Sequence, residues 1–431
     1  MYLLYSALLT LVLLLGSPYW LYEMLRHGKY RKGLPERLGV APGHLRHVGQ
    51  SCIWVHAVSV GEVLAVSELV RQLRAEFPKH RVVVSTTTDT GQKLAAQRFG
   101  AESVFYFPLD FAFASRRWFS ALRPKLVVIA ETEFWPNFLR AAREFETRVA
   151  IVNARISDRS LKGYRRWRMF VTPSLQRIDI FCAQTDADAE RLKEISAPAD
   201  RVLVGGNLKY DVPPPEAPAI VGELRASIAA SGAGPVLVCG STVEGEELLL
   251  LTAFTNVLAT YPSAAMLLAP RHPQRFDEVD DLLRRSKIPF TRRSQWKGES
   301  LRGGVLLIDT IGELSSLYAL ADIAFVGGSL VPRGGHNIIE PAQHGVAIAV
   351  GNHTENFRDI VGLFQSRDAV RVAGPSELPL LFMELLANDA EREGLGRRAA
   401  ETLESQRGAT ERTLVELRKL LARHTHEVVR A

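Results

Sequence analysis

The stretch CIWVHAVSVGEVLAVSELVRQLRAEF, residues 52–77, joins an apolar run to a helical pattern. Its first part, CIWVHAVS, is rich in β-branched and aromatic residues, as is typical of a buried strand. In its second part, apolar residues recur at helical spacing: Val63, Val66, Leu69, Val70, Leu73 and Phe77. A strand that leads directly into an amphipathic helix is the first half of a βαβ unit, so this stretch predicts a parallel α/β sheet.

The same alternation continues along most of the chain. Strand-like runs in the first half are CIWVHAVS (52–59), RVVVSTTT (81–88), LVVIAE (126–131), RVAIVNAR (148–155), IFCAQT (180–185) and RVLVGG (201–206). A proline-rich stretch, VPPPEAP (212–218), then interrupts the pattern and is typical of an interdomain linker. The runs resume with VLVCGS (236–241), AMLLAPR (265–271), VLLIDT (305–310), IAFVGGS (323–329) and VAIAVG (346–351). A chain of 431 residues is long for one domain, and two α/β domains of similar size are the simplest interpretation.

The sequence therefore predicts five parts. They are a membrane anchor (1–25), an N-terminal α/β domain (26–211), a linker (212–218), a C-terminal α/β domain (219–400) and a C-terminal helix (401–431). The last part carries leucines at helical spacing: Leu414, Leu417, Leu420 and Leu421.

Composition limits the class of protein. Apolar residues make up 47% of the chain and charged residues 23%, which excludes a disordered protein. The net charge of +6 arises from 53 basic and 47 acidic residues that are interleaved, so it suits an anionic substrate or membrane surface and predicts no nucleic-acid partner. The cysteines Cys52, Cys182 and Cys239 lie far apart in apolar runs and are expected to be core residues of a reducing compartment.

The N-terminal segment differs from the rest of the chain, because Met1–Tyr22 contains no charged residue. The basic residues that follow it are Arg26, Lys29, Arg31, Lys32 and Arg37. The segment lacks both the basic start and the small-residue cleavage site of a signal peptide, and we expect an uncleaved anchor. The basic flank predicts that the bulk of the chain lies in the cytoplasm, close to anionic lipid headgroups. Pro18 interrupts the apolar run, so a helix in the membrane interface stays an alternative to a spanning one.

Ligands of open α/β sheets bind at the carboxyl ends of strands, so a cleft between the two domains is the expected site. The sequence has no GxxxxGK[ST], no GxGxxG after the first strand, no HExxH and no GxSxG. These absences argue against a P-loop ATPase, an ordinary dinucleotide enzyme, a fixed metal and a serine-hydrolase elbow. After the first strand, Gly61 would allow a sharp turn and Glu62 would begin a helix, where a carboxylate either complements the helix dipole or accepts a proton.

The segment GGSLVPRGGHNIIEPA, residues 327–342, is rich in glycine before a predicted helix. Such glycines let backbone N–H groups approach a phosphate at a helix N-terminus, although the loop could also be only a tight turn. Glu340 could accept hydrogen bonds from ribose hydroxyls. Arg271 and His272 could bind phosphate or base, or could simply lie at the surface.

Seven segments together resemble the motifs of one family. In chain order they are HAVSVGE, ETEFWPN, NARISDRS, GNLKYD, PRHPQRF, GEL and GGSLVPRGGHNIIEPA. They are similar, in order and position, to motifs of the 3-deoxy-D-manno-octulosonic acid (Kdo) transferases, which are membrane-anchored glycosyltransferases of lipid A assembly in Gram-negative bacteria. The chain has Ile338 and Ile339 where that family often has proline and leucine. The resemblance implies a GT-B fold, with two Rossmann-like domains that face each other across a cleft and an N-terminal membrane-anchor helix.

The resemblance also implies an activity: inverting transfer of Kdo from CMP-Kdo to a hydroxyl of a tetraacylated lipid A precursor, on the cytoplasmic face of the inner membrane. Glu62 matches the general base of the family, and Glu131 and Lys209 match positions that stabilise the transition state. Residues that match the CMP contacts are Arg271, His272, Gly312, Glu313, Leu314, Asn337, Ile338, Ile339 and Glu340. CMP-Kdo is then a substrate, and no tightly bound cofactor or metal is expected. Glu133 lies close enough in sequence to share the role of Glu131.

Two alternatives stay open at this point. Another GT-B enzyme, either a transferase that uses a UDP-sugar or a UDP-sugar 2-epimerase, would share the two-domain plan and the glutamate after the glycine-rich loop. A membrane-tethered scaffold that binds lipid A without catalysis would share the fold but would have no need of Glu62, Lys209, Arg271 and Glu340.

Overall fold

The computed structural model describes residues 2–27, 31–46 and 49–430. Lys29, part of the predicted basic flank, lies outside the described residues. Contacts divide the chain into a first unit, Met1–Val212 with Gln406–Ala431, and a second unit, Pro213–Ser405. The division between them falls inside the proline-rich stretch, and the end of the chain returns to the first unit.

The first unit is built on a parallel sheet of seven strands in the order β3-β2-β1-β4-β5-β6-β7. The strands are β1 (Ser51–His56), β2 (His80–Thr86), β3 (Val104–Tyr106), β4 (Pro124–Ala130), β5 (Arg148–Ala154), β6 (Ile180–Ala183) and β7 (Val202–Val204). The order reverses between β1 and β4, and ligands of doubly wound sheets bind at such a switch point.

In the described part of this unit, ten α-helices precede the proline-rich stretch. They are α1 (Tyr2–His27), α2 (Leu34–Arg37), α3 (Val60–Ala65), α4 (Ser67–Glu76), α5 (Asp89–Phe99), α6 (Ala112–Leu122), α7 (Pro136–Glu144), α8 (Asp158–Arg166), α9 (Arg168–Leu175) and α10 (Asp186–Glu194). The single helix expected after β1 is divided at Val66, into α3 and α4. Its apolar face packs as the spacing predicts, with Val63, Leu69 and Leu73 fully buried.

Side chains alternate between the two faces of the first sheet. Trp54 packs with Trp118 and Phe138 on one face, while Ile53 and Val55 belong to the apolar cluster on the other. This alternation is the period of a strand buried on both sides, which explains the continuous apolar runs in the sequence.

The second unit has a second parallel sheet of seven strands, in the order β10-β11-β9-β8-β12-β13-β14. The strands are β8 (Val236–Thr242), β9 (Ala265–Pro270), β10 (Phe290–Arg292), β11 (Val305–Leu307), β12 (Ile323–Val326), β13 (Ala347–Val350) and β14 (Arg371–Val372). The helices are α11 (Ala219–Ser231), α12 (Glu246–Thr260), α13 (Phe276–Ser286), α14 (Leu314–Leu317), α15 (Ile339–Ala342), α16 (Arg358–Ser366), α17 (Leu378–Ala387) and α18 (Asp389–Glu404). Its strand order reverses between β8 and β12.

The last helix, α19 (Ala409–Arg430), packs on the first sheet. Leu414, Leu417, Leu420 and Leu421 are buried in the same apolar cluster as Ile53. The Asp211 carboxylate accepts hydrogen bonds from the backbone N–H groups of Gly408 (2.7 Å) and Thr410 (2.5 Å). This carboxylate therefore fixes the start of α19 against the segment that leaves the first unit.

Candidate active site

Glu62 lies in the first turn of α3, directly after the carboxyl end of β1. Its Oε2 accepts a hydrogen bond from the Val58 backbone N–H (2.8 Å) and its Oε1 accepts one from the Ser59 hydroxyl (2.9 Å). The residue is only 8% exposed. Gly61 does not have the positive φ that favours glycine, and a Cβ there would meet nothing closer than the Ser59 hydroxyl oxygen at 4.0 Å. The turn therefore makes no use of the conformational freedom that the sequence analysis ascribed to Gly61.

Burial raises the pKa of the Glu62 carboxyl to about 7, and the negative charge of Glu131 adds to this effect. The hydrogen bonds from Val58 and Ser59 act in the opposite direction, and Glu133 raises the pKa slightly further. The dipole of α3 also favours the ionised carboxylate, because Glu62 lies in the first turn of that helix. A carboxyl group that titrates near neutral pH has the basicity required of a general base.

Glu131 follows the carboxyl end of β4, the strand next to β1 across the switch point. It has a positive φ of 57°, which is uncommon for a residue with a side chain, and its backbone N–H donates to Val152 (2.9 Å). The Lys209 ammonium lies 3.7 Å from Glu131 Oε1, and both side chains are partly exposed. Glu133 is partly buried, and this burial together with Glu131 raises the pKa of its carboxyl. The structure thus brings Glu62, Glu131 and Lys209 together at one end of the first sheet.

The position of Lys209 depends on two asparagines to which the sequence analysis gave no role. Asn207 caps the short turn Leu208–Asp211, since its side chain accepts the Lys209 N–H (3.0 Å). Asn153, also at positive φ, accepts the Leu208 N–H with its side-chain oxygen (3.0 Å). Ser59 was likewise overlooked as a partner of Glu62. These three residues are polar and lie at strand ends inside the motifs HAVSVGE, NARISDRS and GNLKYD, and that position was the sequence feature that could have indicated their roles.

His56, in the same motif as Glu62, is fully buried. Its ring stacks on Phe107 at a centroid distance of 3.8 Å, and its Nδ1 lies 3.0 Å from the Ser85 hydroxyl. Burial lowers the pKa of His56 to about 3, so the imidazole is neutral at physiological pH. These contacts give His56 a packing role beneath the turn that carries Glu62.

The glycine-rich loop of the second unit is already occupied by a carboxylate of the chain. Glu246, which is fully buried at the start of α12, accepts hydrogen bonds from four backbone N–H groups: Val243 (3.0 Å), Gly328 (2.7 Å), Ser329 (2.8 Å) and Leu330 (2.8 Å). A Cβ at Gly327 would lie 2.7 Å from Glu246 Oε2, so glycine is required there to admit the carboxylate. The expectation that the N–H of Gly328 faces a phosphate is therefore wrong. The helix expected to follow the loop is also shorter than predicted, since α15 has a single turn.

Five of the predicted donor-binding and loop residues do lie close to one another. The positive charges of Arg271 and His272 reinforce burial in lowering the pKa of His336, to about 4. Burial raises the pKa of Glu340. A hydrogen bond from the Asn337 amide, 3.3 Å from Glu340 Oε1, and the charge of Arg271 partly oppose this rise. Arg271 and His272 are exposed. An exposed guanidinium and imidazole beside an amide and a carboxyl group offer donors for a phosphate and acceptors for hydroxyl groups.

The turn Gly312–Leu314 leads into α14. Gly312 has a φ of +91°, and the Glu313 carboxylate pairs with Arg293 (3.0 Å) and accepts the Thr310 hydroxyl (2.5 Å). His344, which follows α15, lies 2.8 Å from the carbonyl oxygen of Ser315 in α14 and so links the two turns.

Ile338 and Ile339 are 0% and 2% exposed. Their side chains belong to the core, so these two residues can contact a ligand only through their backbone. The Ile339 N–H is already bonded to the Asn337 side-chain oxygen at 3.2 Å.

Comparison with known proteins shows similarity along nearly the whole chain. A family model described as 3-deoxy-D-manno-octulosonic-acid transferase (kdotransferase) matches residues 32–212. The 3-deoxy-D-manno-octulosonic acid transferase of Haemophilus influenzae is 36% identical over 401 residues, which cover 92% of this chain and 93% of that protein. The protein of the same name from Bordetella pertussis is 36% identical over 416 residues, 92% of this chain and 94% of its own length.

Among solved structures, UDP-GlcNAc 2-epimerase from Neisseria meningitidis bound to UDP-GlcNAc superposes with a TM-score of 0.57. The match covers 86% of this chain and 100% of that one at 14% identity, and so it concerns the fold alone. With the two parallel sheets, it confirms the predicted fold class of paired Rossmann-like domains with an apolar N-terminal helix.

Proposed function

Because the chain belongs to the 3-deoxy-D-manno-octulosonic acid (Kdo) transferase family and is a glycosyltransferase of that family, we propose that it transfers Kdo from CMP-Kdo to a hydroxyl of a tetraacylated lipid A precursor. The transfer inverts the anomeric centre, and Glu62 is the general base. The observation that carries the proposal is the state of Glu62, a buried carboxyl with a pKa of about 7 beside Glu131 and Lys209.

In this mechanism the hydroxyl oxygen of the acceptor forms a bond to the anomeric carbon of Kdo while the bond from that carbon to the CMP phosphate oxygen breaks. The hydroxyl proton passes to Glu62, and CMP leaves with the bonding electrons. General base catalysis contributes roughly 10²- to 10⁴-fold, so other groups must stabilise the developing charges. The Glu131 carboxylate is suited to the positive charge at the anomeric carbon, and Lys209, 3.7 Å from it, offsets the negative charges of the carboxylates.

CMP-Kdo is the substrate proposed for the second unit. Arg271 supplies positive charge and His272 a ring N–H for its phosphate, and Asn337 and Glu340 supply an amide and a carboxyl for the ribose hydroxyls. The turn Gly312–Leu314 and the backbone of Ile338 and Ile339 complete the proposed contact set. The backbone N–H groups that donate to Glu246 are not part of this contact set.

We further propose that α1 attaches the protein to the cytoplasmic face of the inner membrane. In the described part of the chain, Leu4–Arg26 is long and apolar enough to cross a membrane, by length and composition. Arg26, Arg31 and Lys32 are exposed and available to anionic headgroups. Arg37 is partly buried and donates a hydrogen bond to Thr87 (2.6 Å), so it is not a headgroup contact.

The proposal is tested by incubating the purified full chain in detergent with CMP-Kdo and the tetraacylated precursor, and weighing the lipid product by mass spectrometry. A parallel reaction uses UDP-GlcNAc as donor, and binding of CMP and of UDP is measured by calorimetry. We expect mass increases of one or more Kdo residues with CMP-Kdo only, and binding of CMP in preference to UDP. Product from UDP-GlcNAc would favour the UDP-sugar alternative, and lipid binding without product from either donor would favour the scaffold.

A further inference from the structure

A partly open cavity of about 170 Å³ lies between α1 and the loop that follows β3. Its walls include Leu9 and Val12 of α1, Phe107 of the loop, and Arg37, Thr87 and Trp135. Most of these side chains are apolar. An apolar cavity of roughly 150 Å³ in another protein stays free of water and binds a molecule the size of benzene, so this one suits a segment of hydrocarbon.

The α1 wall is held in place by polar contacts at its N-terminal end. The Tyr2 hydroxyl accepts a hydrogen bond from the Arg177 guanidinium (2.8 Å), and the Ser6 hydroxyl accepts one from the Asn137 amide (3.1 Å). Asn137 is itself fixed, because its backbone N–H donates to the buried Asp110 carboxylate (3.1 Å). The first turns of α1 are thereby bound to α7 and to Arg177. Asn137 contacts both α1 and the loop after β3, so these two walls of the cavity are held relative to each other.

Three residues around the cavity carry a buried polar atom with no hydrogen-bond partner within residues 2–27, 31–46 and 49–430. They are Arg37, through Nε, Thr87, through Oγ1, and Trp135, through Nε1. All three groups can donate a hydrogen bond. Because these atoms are buried behind the cavity wall, the surface that the cavity offers to a ligand is almost wholly apolar and favours hydrocarbon over a polar ligand.

A wall of the cavity is also connected to Glu62 by hydrogen bonds. The Thr87 backbone N–H donates to the Val58 carbonyl (3.2 Å), and the N–H of Val58 donates to Glu62 Oε2 (2.8 Å). On the opposite side, Phe107 stacks on His56, in the same motif as Glu62. A molecule held in the cavity would therefore be separated from the proposed base by Thr87 and the backbone of Val58.

We propose that this cavity binds an acyl chain of the lipid acceptor. This inference rests on the proposed function and adds to it the part of the acceptor that the first unit recognises. The cavity takes only a short segment of the chain, and the remainder extends beyond it. The acyl chain thus helps to position the acceptor hydroxyl relative to Glu62.

The test compares Leu9→Trp with Leu8→Trp in the full-length protein in detergent micelles. Leu9 lines the cavity, whereas Leu8 is on the same helix, is 60% exposed and does not line it. Each variant is assayed with the tetraacylated acceptor and with the same acceptor after removal of its acyl chains. We expect Leu9→Trp to raise KM for the acylated acceptor about 10-fold or more with little change in kcat, and to leave KM for the deacylated acceptor unchanged. Leu8→Trp should change neither, and turnover of the deacylated acceptor shows that Leu9→Trp is folded.

Equal changes of KM for both acceptors, or equal effects of the two variants, would overturn the proposal. A second measurement distinguishes the acceptor from ordinary membrane lipid as the ligand of the cavity. Each protein is examined by native mass spectrometry with the tetraacylated acceptor and, separately, with phosphatidylglycerol. We expect Leu9→Trp to lose only the acceptor complex, and loss of the phosphatidylglycerol complex alone would contradict the assignment. If the native chain turned over neither acceptor, the proposed function would fail, while the binding measurement would still decide the cavity.

Discussion

Glu62 and Glu246 are buried carboxyl groups at related places in the two sheets, yet their surroundings differ. Each follows a strand that borders the switch point of its sheet, β1 in the first unit and β8 in the second. Burial is the main cause that raises the pKa of both. Glu246 accepts four backbone N–H groups, whereas Glu62 accepts one backbone N–H and one hydroxyl.

A carboxylate has about four lone-pair sites for hydrogen bonds. The four N–H groups saturate Glu246, which leaves it no capacity for a substrate. Glu62 keeps about two sites open, beside the second carboxylate, Glu131. The same position in the fold therefore serves to hold a loop in one unit and, as we propose, to take up a proton in the other.

Among the substitutions that test the contrast between Glu62 and Glu246, Glu62→Gln is expected to have the largest effect. The amide oxygen can still accept the Val58 N–H, and the amide N–H₂ can donate to Ser59, so the fold should be kept while the base is lost. We expect kcat for Kdo transfer to fall by roughly 10²- to 10⁴-fold. The initial rate of lipid product measures the loss, and an unchanged midpoint of urea unfolding is the control. A rate within threefold of the native one would remove Glu62 from its role.

The matching change in the second unit, Glu246→Gln, should act on stability. Its amide N–H₂ would face backbone N–H groups that now donate to a carboxylate, which leaves donors buried without acceptors. We expect the free energy of unfolding of this unit to fall by about 3 kcal/mol in urea titrations. The matched control is Glu244→Gln, two residues away and exposed, which should have no effect. If Glu246→Gln were as stable as the control, the carboxylate would not hold the loop.

The interior strands of both sheets were predictable from the sequence, because strands buried on both faces appear as long apolar runs. The strands β3, β10 and β14 were missed. They have three, three and two residues and lie at the edges of their sheets, where pairing with a neighbour rather than a local pattern decides the conformation. The division of the helix after β1 at Val66 was missed too, since the apolar spacing continues through it.

The candidate site could be predicted where its residues follow the carboxyl ends of neighbouring strands. The strand-end rule accounts for Glu62 and Glu131, which follow β1 and β4. The glycine-rich loop was misinterpreted because its partner, Glu246, lies 82 to 84 positions away in sequence. No local pattern indicates such a contact, and the loop alone resembles a phosphate site.

The smallest effect concerns pH and the influence of Glu131 on Glu62. Since the proposed base acts ionised and its pKa is about 7, kcat/KM should rise with pH and level off above about 7. The Glu131 charge disfavours ionisation of Glu62, so Glu131→Gln removes a repulsion and should lower the pKa of Glu62. The rising limb of kcat/KM should therefore move to lower pH, whatever the height of the profile, and Glu244→Gln should leave it in place. A limb that stays fixed or moves to higher pH would mean that the groups are not coupled as the structure indicates. In that case the contrast between the open and the saturated carboxylate would rest on hydrogen bonding alone.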